Sequence, residues 1–144
     1  MKLLSYKDLE VWKKSMELVK LIYILTKKLP KEELYGLVSQ MRRSAVSIPS
    51  NIAEGQSRKS SREFIQFLTI ARGSKSELET LLYITKELYP IDGEEIKLSM
   101  DLLSDIGRMI NGLISSIADK ANKSVEDVGS SNHKPQATSH KHGN

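Results

Sequence analysis

Apolar residues recur at intervals of three and four along four segments of this chain, and this helical period constrains the fold more than any other feature. The segments cover residues 6–29, 31–55, 60–89 and 92–120. Pro30 ends the first segment and Pro90 ends the third, because proline cannot continue a helix. No segment shows the alternating pattern of a β-strand. The connections are short, so the sequence predicts an all-α fold, an antiparallel up-down-up-down four-helix bundle.

Capping residues support two of the predicted helix starts. Ser5 and Asp8 resemble a capping pair, with the acidic residue in the first turn. Ser60 is followed three residues later by Glu63, which is the spacing of a capping box. We therefore expect the first helix to begin near residue 6 and the third near residue 60.

One proline and two glycines allow further predictions about the helices. Pro49 lies inside the second apolar pattern, which continues to Ile52, so it should kink that helix rather than end it. Gly55 is a plausible end of the same helix. Gly73 weakens the middle of the third helix by about 1 kcal/mol relative to alanine. We expect Gly73 to allow the close approach of another group.

The first and fourth segments carry more apolar surface than one bundle core needs. The apolar arc of the first segment covers roughly 200°, whereas a surface helix needs about 100°, and the arc of the fourth segment is also broad. Leu21, Ile24, Leu98 and Leu102 have no obvious partner inside a single bundle. Exposing all of them would create a larger patch than monomers usually tolerate. The sequence therefore predicts a homo-oligomer, and a closed ring would cover such surfaces without free ends.

Composition divides the chain into a predicted bundle, residues 1–121, and a polar tail, residues 122–144. The tail has almost no large apolar residue after Val128, so we expect it to be disordered. All three histidines lie in it, at positions 133, 140 and 142. A metal site there is an alternative to a simple polar tail. The predicted bundle has no histidine, which excludes Ser-His-Asp and histidine acid–base chemistry from it.

The absence of cysteine and of long apolar runs excludes further classes of protein. The chain has no cysteine, which excludes disulfides, thiolate zinc sites and iron–sulfur clusters and fits a reducing compartment. No apolar run is long enough to span a membrane, and the N-terminus lacks the apolar stretch of a signal peptide. We expect a cytoplasmic protein that needs no metal or other cofactor and has no membrane partner.

Positive charge is concentrated in the middle of the chain. The formal net charge is +4, and residues 42–75 carry seven cations against two anions, Glu54 and Glu63. The candidates for binding RNA or DNA are Arg42, Arg43, Arg58, Lys59, Arg62, Arg72 and Lys75. Such cations neutralise phosphates without reading bases. The sequence shows no aromatic platform interleaved with them, so we expect recognition by charge or shape.

Some of the same residues have a structural interpretation. Between the second and third helices, a polar network could include Arg43, Ser47, Asn51, Glu54, Arg72 and Glu77. An arginine–carboxylate pair supported by amide and hydroxyl groups fixes helix register more than it adds stability. Arg43 and Arg72 are therefore candidates for both roles.

Several motifs resemble one known family. They are YKDLEVW at residues 6–12, ELYGL at 33–37, QMRRSAVSIPSNIAEG at 40–55 and FIQFLTIARGS at 64–74. These segments resemble the four-helix bundle proteins encoded in 23S ribosomal RNA intervening sequences. A related branch, the accessory variability determinant proteins of diversity-generating retroelements, forms basic pentamers that bind nucleic acid and a reverse transcriptase. The resemblance implies a bundle, a ring of five and nucleic-acid binding, and it implies no catalytic residue.

Three classes of function follow. The first is an oligomer that binds RNA or DNA through a basic surface. The second is a scaffold for a protein partner, such as a reverse transcriptase or a ribosome-associated protein. The third, an enzyme, is disfavoured because the bundle has no Glu-x-x-His metal motif and no phosphate-binding P-loop.

Overall fold

Four long helices make up most of the chain. The computed structural model describes residues 5–91 and 93–131. The helices are α1 (Glu10–Thr26), α2 (Ser39–Ser57), α3 (Ser61–Leu88) and α4 (Glu94–Ser131). No strand occurs in these residues, and the predicted all-α four-helix bundle is confirmed. None of the described helices is long and apolar enough to cross a membrane.

Neighbouring helices run antiparallel around a square. On α2 and α3, the Ser47 and Ser74 hydroxyls are 2.8 Å apart, and the Thr85 hydroxyl lies 3.7 Å from the sulfur of Met41. Residue numbers thus rise along one helix as they fall along the other. α1 packs against α2 and α4, and α3 packs against the same two helices. α1 and α3 therefore occupy opposite corners of the bundle.

Aliphatic side chains from all four helices fill the core. The largest fully buried ones are Leu18, Ile22, Leu25, Met41, Ile48, Ile52, Leu68, Leu78, Leu82, Leu103, Ile106 and Ile110. Full burial of each such side chain stabilises the fold by about 1.5–3 kcal/mol relative to exposure. Buried hydroxyls such as those of Ser15 and Ser99 donate to the carbonyl one turn earlier. The described part of the chain therefore buries no side-chain polar atom without a partner.

The first helix begins later than predicted. Ser5 and Asp8 do form a capping box, but it caps a short 3₁₀ turn, Tyr6–Asp8. Leu9 then adopts an extended conformation, and α1 begins at Glu10. The predicted start near residue 6 is therefore wrong, because the capped turn and the helix are separate elements.

The second helix also begins later than its predicted start at residue 31. A 3₁₀ turn, Lys31–Glu33, leads into a π-helical turn, Leu34–Val38, and regular α-helix starts only at Ser39. Gly36 has φ −109° and ψ −113°, which lies outside the helical region and interrupts the hydrogen-bond ladder. The helix then passes through Pro49 to Ser57, as the continuing apolar pattern predicted.

The Glu33 carboxylate connects this turn to the end of α3. It accepts hydrogen bonds from the Tyr89 hydroxyl at 2.7 Å and from the Leu37 backbone N–H at 3.1 Å. The Tyr89 hydrogen bond, followed by that from Leu37, holds the pKa of Glu33 below its ordinary 4.5. The same hydrogen bond raises the pKa of Tyr89 above 10.0. The ionised form of Glu33 is thus favoured in the folded protein.

Tyr89→Phe should therefore destabilise the bundle more at neutral than at acid pH. A carboxyl whose pKa is lowered by folding stabilises the fold above its unfolded pKa and loses that contribution as pH falls through its folded pKa. Urea unfolding at about pH 7 and about pH 2.5 measures the difference. Tyr35→Phe, at an exposed position, is the control. An equal loss of stability at both pH values would mean that the Tyr89 hydroxyl acts independently of the Glu33 charge.

The fourth helix ends later than predicted. α4 continues to Ser131, so the predicted end near residue 120 is wrong, and the boundary at residue 121 falls inside the helix. Residues 119–128 contain no glycine or proline that would break the helix before Gly129. The helix therefore continues past the apolar pattern, and its side chains at residues 122–129 are exposed. The three histidines of the predicted tail lie outside the described residues.

Candidate nucleic-acid interface

The seven cations predicted to bind nucleic acid lie on three sides and at one end of the bundle. Arg42 lies between α2 and α1, Arg43 beside α3, Arg72 and Lys75 beside α4, and Arg58, Lys59 and Arg62 at the α2–α3 turn. One helix presents successive residues in different directions, so a run of cations in sequence does not make one surface. The seven therefore divide into separate groups.

Arg42 belongs to the packing between α1 and α2. Its Nε donates a hydrogen bond to the Thr26 hydroxyl at 2.9 Å. Its guanidinium lies over the ring of Tyr23, 4.4 Å from the centroid, which is cation–π geometry. These contacts leave Arg42 half-buried and hold it away from the other predicted cations.

Part of the predicted polar network connects α2 and α3. The Ser47 hydroxyl contacts that of Ser74 at 2.8 Å, and the Asn51 amide donates to the Ser47 hydroxyl at 2.9 Å. Arg43 lies beside Glu77 on the same side, with 3.8 Å between Nη2 and Oε1. That ion pair is exposed and adds little stability. Small hydrogen-bonding groups thus join the two helices directly, and Arg43 flanks them.

The other two members of the predicted network lie elsewhere. Glu54 pairs with Arg58, directly after the end of α2, at 2.6 Å. Arg72 points towards α4, where its Nη1 donates to the Asn111 side-chain oxygen at 3.0 Å. Arg72 and Glu77 are five residues apart, which separates them by about 140° around a helix. The prediction of one network containing all six residues is therefore wrong in its connections.

Two pockets lie between α3 and α4. One has a volume of about 460 Å³ and includes Lys75, Tyr83, Met100, Arg108 and Asn111 in its lining. The other, of about 170 Å³, lies at the end of the bundle that holds the α2–α3 turn. Its lining includes Arg58, Lys59, Ser61, Phe64 and Lys120. Between the pockets, the Arg72–Asn111 hydrogen bond crosses the groove.

Six cations follow this groove, and we call them the α3–α4 basic stripe. They are Arg58, Lys59, Arg72, Lys75, Arg108 and Lys120. Four of them belong to the predicted set, and the sequence analysis missed Arg108 and Lys120. Arg62 is exposed near the turn but lines neither pocket. At 1.5 Å per residue, the stretch of α3 from Ser61 to Lys75 spans about 21 Å.

Carboxylates offset part of the charge of the stripe. Lys75 pairs with Glu79 at 3.0 Å, Arg108 with Asp105, and Arg58 with Glu54. Lys59, Arg72 and Lys120 have no carboxylate partner in the described ranges. Three carboxylates against six cations leave the groove positive.

Gly107 shapes the end of the stripe that lies away from the α2–α3 turn. A Cβ at this glycine would lie 3.1 Å from Cε of Lys75, so the absent side chain makes room for the lysine to lie across α4. The lysine stem covers the helix surface while its ammonium reaches the groove. Gly107 therefore positions one of the cations.

The apolar residues without a partner inside the bundle lie beside α1. Ile24 is 49% exposed and Leu98 is 46% exposed, as predicted, whereas Leu21 and Leu102 are half-buried. Leu21, Leu98 and Leu102 line a pocket of about 410 Å³ between α1 and α4. A second pocket, of about 310 Å³ between α1 and α2, is lined mainly by Tyr6, Trp12, Met16, Val19, Val46, Pro49 and Ala53. α1 thus has an apolar groove on each side.

No group of three or more histidine, cysteine or carboxylate side chains converges in a metal-binding arrangement among residues 5–91 and 93–131. The described residues thus contain no preformed metal site. They form one charged groove and two apolar grooves.

Comparison with known proteins identifies the family of this chain. A crystal structure of a protein of unknown function from the S23 ribosomal protein family of Bacteroides thetaiotaomicron VPI-5482 is similar, with a TM-score of 0.67 and 28% sequence identity. The similarity covers 73% of this chain and 95% of that one. No curated protein matches. The sequence model of the 23S rRNA-intervening sequence protein family matches residues 7–112, which include all of α1, α2 and α3. The chain therefore belongs to the 23S rRNA-intervening sequence protein family.

Proposed function

We propose that this chain is a non-catalytic, self-associating bundle that binds the backbone of RNA or DNA along the α3–α4 basic stripe. The observation that carries the proposal is the alignment of six cations along one groove with three carboxylates beside them. Cations in this arrangement neutralise phosphates and release counterions, which gives affinity without sequence readout.

The dimensions of the groove suit a short length of nucleic acid. Its span of about 21 Å along α3 corresponds to about six nucleotides at 3.4 Å per nucleotide. Asn111 and Ser104 add hydrogen-bonding groups to the wall of the larger pocket. Polar groups of this kind fix the register of a phosphate backbone, while the cations supply most of the affinity.

Self-association would strengthen such binding. The apolar grooves on both sides of α1 support a homo-oligomer, and the family resemblance implies a ring of five. A ring repeats the stripe in every subunit, so the modest charge of one bundle becomes a strong field. The α3 wall of the stripe lies diagonally across the bundle from α1, which leaves that wall free when α1 is covered, whereas the α4 wall adjoins α1, where Asp105 pairs with Lys14.

A protein-interaction scaffold is the second candidate function. The α1–α2 groove favours it, because Trp12 and Met16 on α1 and Pro49 on α2 line an apolar surface suited to a partner helix. An accessory subunit for a reverse transcriptase or a ribosome-associated protein would use such a surface. Pull-down after nuclease treatment separates the two functions, because protein partners persist only on a scaffold.

Removing charge from the stripe should weaken nucleic-acid binding and its salt dependence together. The test is a triple variant, Arg72→Gln, Arg108→Gln and Lys120→Gln, in which all three positions are exposed. Each lost phosphate contact lowers the slope of log affinity against log salt by about 0.9, so the slope should fall by about 2 to 3. Fluorescence anisotropy between about 50 and 200 mM salt measures it.

A triple variant with the same change in net charge provides the control. Lys13→Gln, Lys27→Gln and Lys31→Gln remove exposed cations on and just after α1, away from the stripe. This control should retain most of the affinity and slope of the wild type. Equal losses of affinity in both variants would show that binding depends on total charge and not on the stripe. A wild-type affinity that does not change with salt concentration would overturn the proposal.

A further inference from the structure

We propose that the groove accepts single-stranded nucleic acid, with Tyr83 stacking against an unpaired base at the end of the basic stripe. This inference rests on the proposed function and names the kind of strand that the groove takes. It also gives the groove an aromatic platform, which the sequence analysis did not find.

Tyr83 is placed for this role. Its side chain is 54% exposed and lines the larger pocket together with Lys75, Arg108 and Met100. Within the described ranges, neither its hydroxyl nor its ring has a hydrogen-bond or aromatic partner. The ring therefore presents apolar surface to the groove without a contact that would explain its position.

Three of the other four tyrosines have clear structural contacts, whereas Tyr35 is 91% exposed in the α1–α2 connection. The ring of Tyr6 packs edge-on against Trp12, with centroids 5.5 Å apart. Tyr23 lies under Arg42, and the Tyr89 hydroxyl donates to Glu33. Tyr83 differs from these because it faces a pocket lined by cations. Its exposure is thus better explained by a ligand than by packing.

The spacing between Tyr83 and the cations matches a strand. Tyr83 lies eight residues after Lys75 on α3, which is about 12 Å along the helix axis. That distance corresponds to three or four stacked nucleotides at 3.4 Å each. A strand whose phosphates follow the stripe would bring a base to the ring of Tyr83. Met100, on the α4 wall of the same pocket, adds a polarisable apolar surface.

Stacking on Tyr83 requires a free base face. In a duplex, neighbouring base pairs cover those faces, whereas unpaired bases stack readily on aromatic side chains. The cations alone would hold a duplex and a single strand by the same phosphates. The aromatic ring at the end of the stripe therefore favours single strands or unpaired loops, with little preference among bases.

The test compares Tyr83→Ala and Tyr83→Phe with the wild type. The probes are fluorescein-labelled single strands of about 12 nucleotides, as RNA and as DNA, and a duplex of the same sequence. Tyr83→Ala should lower single-strand affinity by about 5- to 150-fold, the equivalent of about 1–3 kcal/mol for one stacked base. Tyr83→Phe should retain the affinity, because its ring stacks equally well. Duplex affinity and the salt slope should not change.

The control is Tyr35→Ala, at an exposed tyrosine in the α1–α2 connection, outside the groove. It should bind single strands as the wild type does, and thermal melting should show all three variants folded. Wild-type single-strand affinity in Tyr83→Ala, or an equal loss for the duplex, would overturn the stacking inference while leaving backbone binding intact. A wild type that binds none of the probes would overturn the proposed function itself.

Discussion

Gly55→Ala is expected to destabilise the bundle by about 1–3 kcal/mol, although alanine is the better helix former. A Cβ at position 55 would lie 2.8 Å from Cβ of Phe67 and 3.3 Å from the backbone oxygen of Phe64. Both atoms are fixed by the backbone of α3, so the clash cannot be relieved by rotating a flexible side chain. The two helices must separate, and core contacts near the turn are lost.

Gly73→Ala is the matched control and should change stability in the opposite direction. A Cβ at Gly73 would meet no atom within 4 Å, and this glycine is exposed in the middle of α3. Alanine there should stabilise the helix by about 1 kcal/mol, because it restricts the unfolded chain without a clash. Urea or thermal unfolding of both variants tests the pair. Two changes of the same sign would contradict the close-approach explanation.

This pair of glycines also shows a prediction from the sequence that was wrong. We expected Gly73 to allow a close approach and Gly55 simply to end a helix. The structure contradicts the expectation for Gly73, where the surroundings are open, and the close approach is at Gly55. Helical period reveals that a glycine is inside a helix. It does not reveal how closely a neighbouring helix approaches, which depends on the angle set by the α2–α3 turn.

Features governed by local sequence were predicted well. Four apolar patterns gave the four helices, Ser60 caps α3 by accepting a hydrogen bond from the Glu63 N–H, and α2 passes through Pro49. Each of these depends on residues within one or two helical turns. The late start of α2 was missed because the apolar pattern continues through Gly36, whose backbone leaves the helical region.

The candidate site was only partly predictable, because it depends on contacts between residues far apart in sequence. The concentration of cations in residues 42–75 predicted Arg72 and Lys75 as binding residues. Arg108 and Lys120 lie outside that segment, on α4. Their contribution depends on the antiparallel register that places Asn111 opposite Arg72. Likewise, Arg42 was predicted as a binding residue because it belongs to the cations concentrated in residues 42–75. Its contact with Tyr23 on another helix shows a packing role instead.

The arrangement of the helices links the two parts of the proposed function. α1 carries the apolar grooves, while α3 forms one wall of the basic stripe and lies diagonally across the bundle. Copies that associate through α1 would therefore leave the α3 wall of each stripe exposed, while the α4 wall adjoins α1. Assembly and nucleic-acid binding should consequently be separable by substitution.

The double variant Ile24→Glu and Leu98→Glu is expected to convert the proposed oligomer into a folded single subunit. Both side chains are about half exposed in one bundle, so a carboxylate at either position remains hydrated when the subunit is alone. In a subunit interface the same carboxylates would be buried without a partner, which costs several kcal/mol for each charge. Sedimentation or light scattering should show the mass fall to the 16.2 kDa of one chain.

Ile70→Glu is the matched control, since Ile70 is 52% exposed but lies on α3. It changes an exposed isoleucine to the same charge and should leave the assembly unchanged. The folded double variant should keep the salt slope of each stripe and lose affinity for strands long enough to reach several subunits, because linked sites bind more tightly than one. A wild type that is already a single subunit would remove the role assigned to the apolar grooves. An oligomer that survives both glutamates would place its interface on another face.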